Sequence, residues 1–302
     1  MREAAAIWGS EDQRQIGYLA KVFTQTSLPY KDPGDNQRVW GRRNGDLVVT
    51  VTPGMTIDAD GNARSLGFPY GTIPRLLLAW LSTQAVLTQS PNLVLGDSLA
   101  EFMRELGMAP TGGKNGTITR LRKQAERLFN ATLSVRWDGD SDRDTGGNLV
   151  IASAWDLRWA NAKTTPGQQS LLRSHIQLSA EFFAEVTRHP VPLDTRALRA
   201  LRGSALRLDL YAWLTYRMSY LSKPVTVPWP SLMDQFGFQL APGPKGAYQF
   251  RTALKKALRE VLCVYPDARA EATSKGLLLK PSRTSVPFRG LRELAQGGQA
   301  TG

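Results

Sequence analysis

One order of segments occurs twice in this sequence, about 130 residues apart, which limits the chain to folds built from two related units. The first copy opens with GTIPRLLLAWLSTQAVLT, a helix whose Pro74 falls in the first turn, where a missing N–H costs little. A short strand, NLVLG, follows. Asp97 or Ser98 can then cap the helix LAEFMRELG, which stops at Gly107. A glycine-led basic helix starts near Gly116, and the strands ATLSVRW and NLVIASAWDLRW are joined by the turn-rich DGDSDRDTGG. The second copy reads ALRLDLYAWLTYRMSYL, VTVPW, SLMDQFG, APGPKGAYQFRTALKKALREVL and the hairpin CVYPDARAEATSKGLLLK. LAWL at 78–81 matches YAWL at 211–214, RELG at 104–107 matches DQFG at 234–237, and Arg120 matches Arg251.

Helix, strand, helix, turn, helix, hairpin is the order of a winged-helix unit, a helix-turn-helix with a β-hairpin wing. The expected fold is therefore α+β, with two tandem winged-helix domains at 68–177 and 178–285. A small N-terminal extension, 1–67, precedes them. In it DLVVTVTPG and MTIDADGNA read as strand, turn, strand, and the DLVVTV strand is a candidate edge for self-association. A disordered basic tail is expected at 286–302, and AKTTPGQQS, 162–170, reads as a loop near the domain boundary.

Charge narrows the partner. The 302 residues carry 38 Lys and Arg against 26 Asp and Glu, a net charge of +12. Such an excess opposes compaction and is used mainly to attract a polyanion. No stretch approaches the ~18 apolar residues of a spanning helix, and the N-terminus lacks a signal-peptide core. The expectation is a cytoplasmic, DNA-associated protein with no membrane partner. The one cysteine, Cys263, excludes an internal disulfide and reads as a buried strand residue. With two histidines it is too little for a zinc site, so no metal and no cofactor are expected.

The segment TGGKNGTITRLRKQAERLF, 111–129, invites a phosphate-loop reading, which it fails. Asn115 stands where Ser or Thr should hold magnesium, Met108 stands where the first glycine should be, and the preceding element is a helix rather than a strand. The helix after the glycines passes a different test. Ile118, Leu121, Ala125, Leu128 and Phe129 form one apolar stripe, with Thr119, Arg120, Arg122, Lys123 and Arg127 beside and opposite it. In the second copy the stripe is Phe250, Leu254, Ala257, Leu258 and Val261. Tyr248, Gln249, Thr252, Lys255, Lys256 and Arg259 fill the other face. A solvated face is the plain reading of one such helix; two at the same place in a repeated order favour recognition of a major groove.

The DNA-binding set is then the loop Thr111, Gly112, Gly113, Lys114, Asn115 and Thr117, the polar faces of both helices, and Lys245 and Arg251 at the second helix's margin. The glycines are expected to bring the turn close to the DNA backbone and to offer helical N–H groups to a phosphate. Arg120, Arg127, Lys245 and Arg251 would orient the chain; Arg122 and Lys123 suit guanine, and Gln249 suits adenine or a phosphate. In HPVPLDTRALRALRGSALR, Arg196, Arg199 and Arg202 are three apart and suit either a phosphate strand or a solvated helix.

Other features read as structural. Asp138, Asp140, Asp142 and Asp144 alternate as in a calcium loop, but Arg143 and Leu149 occupy the places of its glycine and glutamate. His175 and His189 form no His-x-His pair for a nickase metal. Tyr211, Tyr216 and Tyr220, with Trp80, Trp213 and Trp229, read as packing residues. No enzymatic activity is expected.

LGFPYGTIPRLLLAWLSTQAV, LGDSLAEFMRELGMAPTGGKNGTITRLRKQAERLF, IQLSAEFFAEV with HPVPLDTRALRALR, and LDLYAWLTYR resemble the replication initiators of iteron-carrying plasmids, in particular the plasmid-encoded RepA family. The likeness spans roughly residues 66–260, and PYG-x-x-PRLLLAW and TGG-x-x-G-x-x-x-RL are its distinctive segments. The resemblance implies double-stranded DNA binding at direct origin repeats, opening of an AT-rich duplex, and recruitment of the host helicase and a DnaA-type initiator. It also implies a switch between a monomer active on the repeats and a homodimer that represses its own promoter at an inverted repeat. A winged-helix transcriptional repressor or partition-type DNA-binding protein is the alternative that the residues themselves leave open.

Overall fold

The computed structural model describes residues 16–95, 104, 107–108, 111, 113–114, 116–138, 145–157, 174–237 and 243–286. Two helices carry the centre. α2 (Thr72–Thr88) buries Ile73, Leu76, Leu77, Leu78, Leu81 and Ala85, and α6 (Ala205–Met218) buries Leu206, Leu208, Leu210, Tyr211 and Leu214. Each is apolar on nearly every side, as a helix wrapped by its neighbours must be. Each fully buried leucine contributes about 1.5–3 kcal/mol. These are the segments that share LAWL and YAWL.

Around α6 the second copy follows the expected order. β12 (Val225–Pro228), α7 (Trp229–Phe236), α8 (Pro244–Val264), β13 (Arg269–Ala272) and β14 (Gly276–Lys280) succeed one another, and the sheet runs β12-β14-β13, all antiparallel. Around α2 the order is β6 (Asn92–Val94), α3 (Thr117–Asn130), β7 (Thr132–Trp137) and β8 (Thr145–Val150). The short helix expected at 99–107 lies largely outside the described residues. Its stop, Gly107, has φ +67 and donates its N–H to the Arg104 carbonyl at 2.8 Å.

The sheets of the first copy differ from the second. The expected strand NLVIASAWDLRW is two strands, β8 and β9 (Ala152–Asp156), broken at buried Ile151. β8 pairs with β7. β9 joins a separate sheet, β6-β10-β9, with β10 (His175–Leu178) at its centre. The hairpin β7–β8 is widened by β2 (Trp40–Asn44) and β3 (Leu47–Thr52) into a four-stranded sheet, β2-β3-β7-β8. β3 is thus paired on both sides, with Val49 and Val51 buried, and the DLVVTV segment is no edge for self-association. Nor does it pair with the next strand. β4 (Met55–Ile57) closes on β5 (Ala63–Ser65) as a separate ribbon, whose turn the Asp58 carboxylate holds by accepting from the N–H groups of Asp60 and Asn62.

Residues 16–67 are woven into both copies. β1 (Ile16–Ala20) pairs antiparallel with β11 (Pro190–Asp194), which lies between α4 (Ala180–Arg188) and α5 (Thr195–Leu201). The Tyr18 N–H donates to Thr83 Oγ1 on α2 at 2.8 Å. After β1 the chain forms α1 (Lys21–Gln25) and enters the joint between the copies. There Arg75 of α2 meets Asp209 of α6 in a two-pronged ion pair, Nε–Oδ1 2.6 Å and Nη2–Oδ2 2.8 Å, with both side chains buried. Its other donors reach the carbonyls of Leu28 (2.7 Å), Pro29 (3.3 Å) and Gly71 (2.6 Å), so all five N–H groups are used. Burial works against the charge on Arg75, but the Asp209 carboxylate outweighs it and holds the guanidinium pKa above its ordinary value.

Candidate nucleic-acid interface

α3 and α8 are the two basic helices. α3 turns Leu121, Ala125, Leu128 and Phe129 inward, with Ile118 packed against the same core; α8 buries Phe250, Leu254, Ala257, Leu258 and Val261. The opposite faces are exposed. On α3 they carry Thr119, Arg120, Arg122 and Lys123, and the three cations make no ion pair with described residues. On α8 they carry Lys245, Tyr248, Gln249, Arg251, Thr252, Lys255, Lys256 and Arg259, of which Tyr248 is 73% exposed. One side of each helix is therefore held by the core, and the other offers positive charge and hydrogen-bonding groups.

The glycine loop before α3 does more to shape the helix start than to offer it. Thr111 and Thr117 bind reciprocally: the Thr111 N–H donates to Thr117 Oγ1 at 2.8 Å, and the Thr117 N–H to Thr111 Oγ1 at 3.0 Å. The Ile118 N–H reaches the Thr111 carbonyl, the Gly116 N–H reaches the Gly113 carbonyl, and the Thr119 hydroxyl donates to Gly113 O. The amides of 116–118 are thus already engaged, against the expectation that they face a phosphate. Lys114 is exposed at the loop's tip; Gly112 and Asn115 lie outside the described residues. Before α8, Gly243 has φ +89 and ψ −165, a conformation close to glycine-only, and Pro244 then opens the helix.

Arg127 is not on the basic face. It is 5% exposed. Its Nε donates to the Leu66 carbonyl at 2.9 Å, and its Nη1 to Phe68 O at 3.2 Å and to Asp32 Oδ2 at 3.0 Å. Its neighbour Gln124, also buried, accepts the Tyr70 N–H at 2.8 Å. These two buried polar residues fasten the segment 66–70 to α3, which sets Arg127 apart from the exposed cations expected beside it. The row on α5 also dissolves. Arg196 closes on Asp194, the residue capping its own helix, with Nη2–Oδ2 at 2.8 Å. Arg199 is half-buried, its stem against Gly107, and Arg202, which is exposed, turns back to the Arg199 carbonyl at 2.6 Å.

Trp229 is the residue that periodicity undervalues. It is buried as expected, yet its indole N–H donates to the β13–β14 turn carbonyls of Thr273 (3.2 Å) and Ser274 (3.1 Å). Arg251 and Lys255 of α8 lie over its ring, at 5.7 Å and 5.8 Å from the centroid. One side chain thus ties the β13–β14 turn to the cationic face of α8. The remaining packing expectations divide. Trp213 and Tyr211 are buried and Trp80 and Tyr216 half-buried, but Tyr220 is 50% exposed, and Cys263 is exposed because α8 runs on through it. Of the acidic run, Asp138 pairs with Arg43 at 2.8 Å, while 139–144 lie outside the described residues.

Residues 68–229, more than half of the chain, match the family described as plasmid encoded RepA protein. This chain belongs to that family. Among solved structures, the RepA-family chain resembles a selenomethionine derivative of domains 2 and 3 of RctB. Identity is 11% and the TM-score 0.51, over 85% of this chain and 95% of that one. A second structure of RctB domains 2–3 gives 11% identity and a TM-score of 0.48, over 86% and 96%. The first likeness shows a shared fold, mixed α/β with several small sheets. No curated protein gives a significant match. Among the described residues, no helix is long and apolar enough to cross a membrane.

Proposed function

We propose that this RepA-family protein is a plasmid replication initiator that reads double-stranded DNA with two winged-helix units, placing α3 and α8 in successive major grooves. The observation that carries the reading is the pair of helices α3 and α8, each followed by two antiparallel strands, each buried on one flank and cationic on the other. Attraction comes from Lys and Arg displacing counterions, so affinity falls steeply with salt. Grooves about one turn apart, roughly 10 base pairs, give a footprint of about 20 base pairs per chain.

The family supports direct origin repeats as the site. Unstacking AT-rich DNA costs a few kcal/mol per step, which several chains on tandem repeats supply together. Host helicase, a DnaA-type initiator and a second copy of the chain are the proposed partners, and the chain itself catalyses nothing. The test combines a hydroxyl-radical footprint on origin DNA with permanganate reactivity on a supercoiled plasmid. The initiator reading expects two protected grooves on tandem direct repeats and protein-dependent permanganate reactivity in the adjoining AT tract. Protection of a single groove ends the two-unit reading. Binding confined to an inverted repeat, without strand opening, assigns the chain to repression instead.

A further inference from the structure

The joint between the two copies is built more firmly than a linker. Arg75 on α2 spends its five N–H groups on Asp209 of α6 and on the carbonyls of Leu28, Pro29 and Gly71, so one side chain binds both central helices and the N-terminal segment. That segment is fixed again from the other side. Gln235, buried on α7, donates to the Gln25 carbonyl at 2.8 Å and accepts from Ser27 Oγ at 3.1 Å through its own carbonyl. Asn44 at the end of β2 donates to the same Gln25 carbonyl at 2.9 Å, and Arg42 on β2 bonds the Gly237 carbonyl. The helix preceding α8 is therefore locked, through residues 25–29, to the sheet and helix that carry α3.

We infer that this joint sets the distance and angle between the two DNA-reading helices, so that the protein accepts only one spacing between its half-sites, with Arg75 and Gln235 as the positioning residues. The inference rests on the proposed two-helix reading of DNA. Its physical basis is that a hydrogen-bonded, buried joint has few alternative arrangements of similar energy, whereas a polar linker has many. Inserting two base pairs between half-sites moves one of them by about 7 Å and turns it by about 70°. A rigid chain then engages one half only and loses the gain from linking them, on the order of 100-fold in affinity.

The experiment takes a duplex selected from a random library by the wild-type chain and measures Kd on versions with base pairs added or removed between the halves. The wild-type chain is expected to show one sharp optimum, losing about 100-fold at two added pairs. Arg75→Met/Asp209→Leu keeps the joint filled with apolar side chains but frees three carbonyls. It should keep its affinity for each isolated half-site while losing less than about 5-fold at the same insertion. If that double variant does not fold, Gln235→Ala is read by the same criterion. A flat wild-type profile, or a profile equally sharp in folded joint variants, overturns the inference. Loss of the underlying reading is distinguishable: there, Lys123→Ala and Lys256→Ala leave affinity for every duplex unchanged.

Discussion

At the scale of single residues, the structure divides the arginines of α3 by what surrounds them. Arg127 holds the Leu66 and Phe68 carbonyls and Asp32. Removing a charged donor from such a site strands its acceptors, so Arg127→Ala should lower stability by about 2–4 kcal/mol. Urea unfolding checks this, and the salt dependence of DNA binding should not change. Arg122→Ala should do the reverse, shifting stability by less than about 0.5 kcal/mol and reducing the salt slope by about one. Equal effects in the two variants would refute the division. The sequence could not separate them, because Gln124 and Arg127 sit on the flank of the apolar stripe, and periodicity assigns a flank to solvent by residue type alone. Tyr211 and Tyr265 offer a pH test. Burial raises both phenol pKa values; the rings meet edge to face at 6.2 Å, Tyr211 bonds Ser285 and the Asp194 N–H, and Tyr265 donates to Arg283 O. Above about pH 10 the unfolded chain releases these protons while the folded chain keeps them. Stability is thus complete below that pH and falls above it, by about 1.4 kcal/mol per pH unit for each tyrosine. Urea midpoints from pH 9 to 11 should fall less steeply in Tyr211→Phe than in the wild-type chain; parallel curves would exclude Tyr211 as a source.

Elements show a second division, between what local pattern determines and what distant pairing determines. The four long helices at 72–88, 117–130, 205–218 and 244–264 are legible for two reasons: α3 and α8 bury residues at a helical period, whereas α2 and α6 are apolar runs too long for a strand. The strands were less so. β1 finds its partner β11 over 170 residues further along the chain, and nothing in IGYLA names that partner. The break at Ile151 is equally silent, since an apolar run reads alike whether it serves one sheet or two. The β13–β14 hairpin yields a prediction of its own. A Cβ at Gly276 would collide with the Val227 carbonyl across the β12–β14 pair. Gly276→Ala should therefore loosen the hairpin that Trp229 holds and weaken DNA binding several-fold more than its loss of stability explains. Binding and unfolding measured on the same sample check this, and unchanged affinity would mean that the hairpin does not contribute.

At the scale of the whole molecule, one continuous hydrophobic core among the described residues includes residues of both copies and of the segment 16–51. It should unfold in a single calorimetric transition, with van't Hoff and calorimetric enthalpies in agreement. Two resolved peaks would show that the copies are independent. The repeated order read in the sequence agrees with the described elements around α2 and α6, apart from the short helix expected at 99–107, which lies largely outside the described residues. The divergence of the copies was not legible, because it depends on which strands pair: the first copy lends its hairpin to β2 and β3, whereas the second pairs its hairpin with its own β12. A body made of two unlike copies has a head and a tail. No half-turn maps it onto itself, so a duplex held in the proposed way acquires a direction, and chains on a row of direct repeats all face the same way.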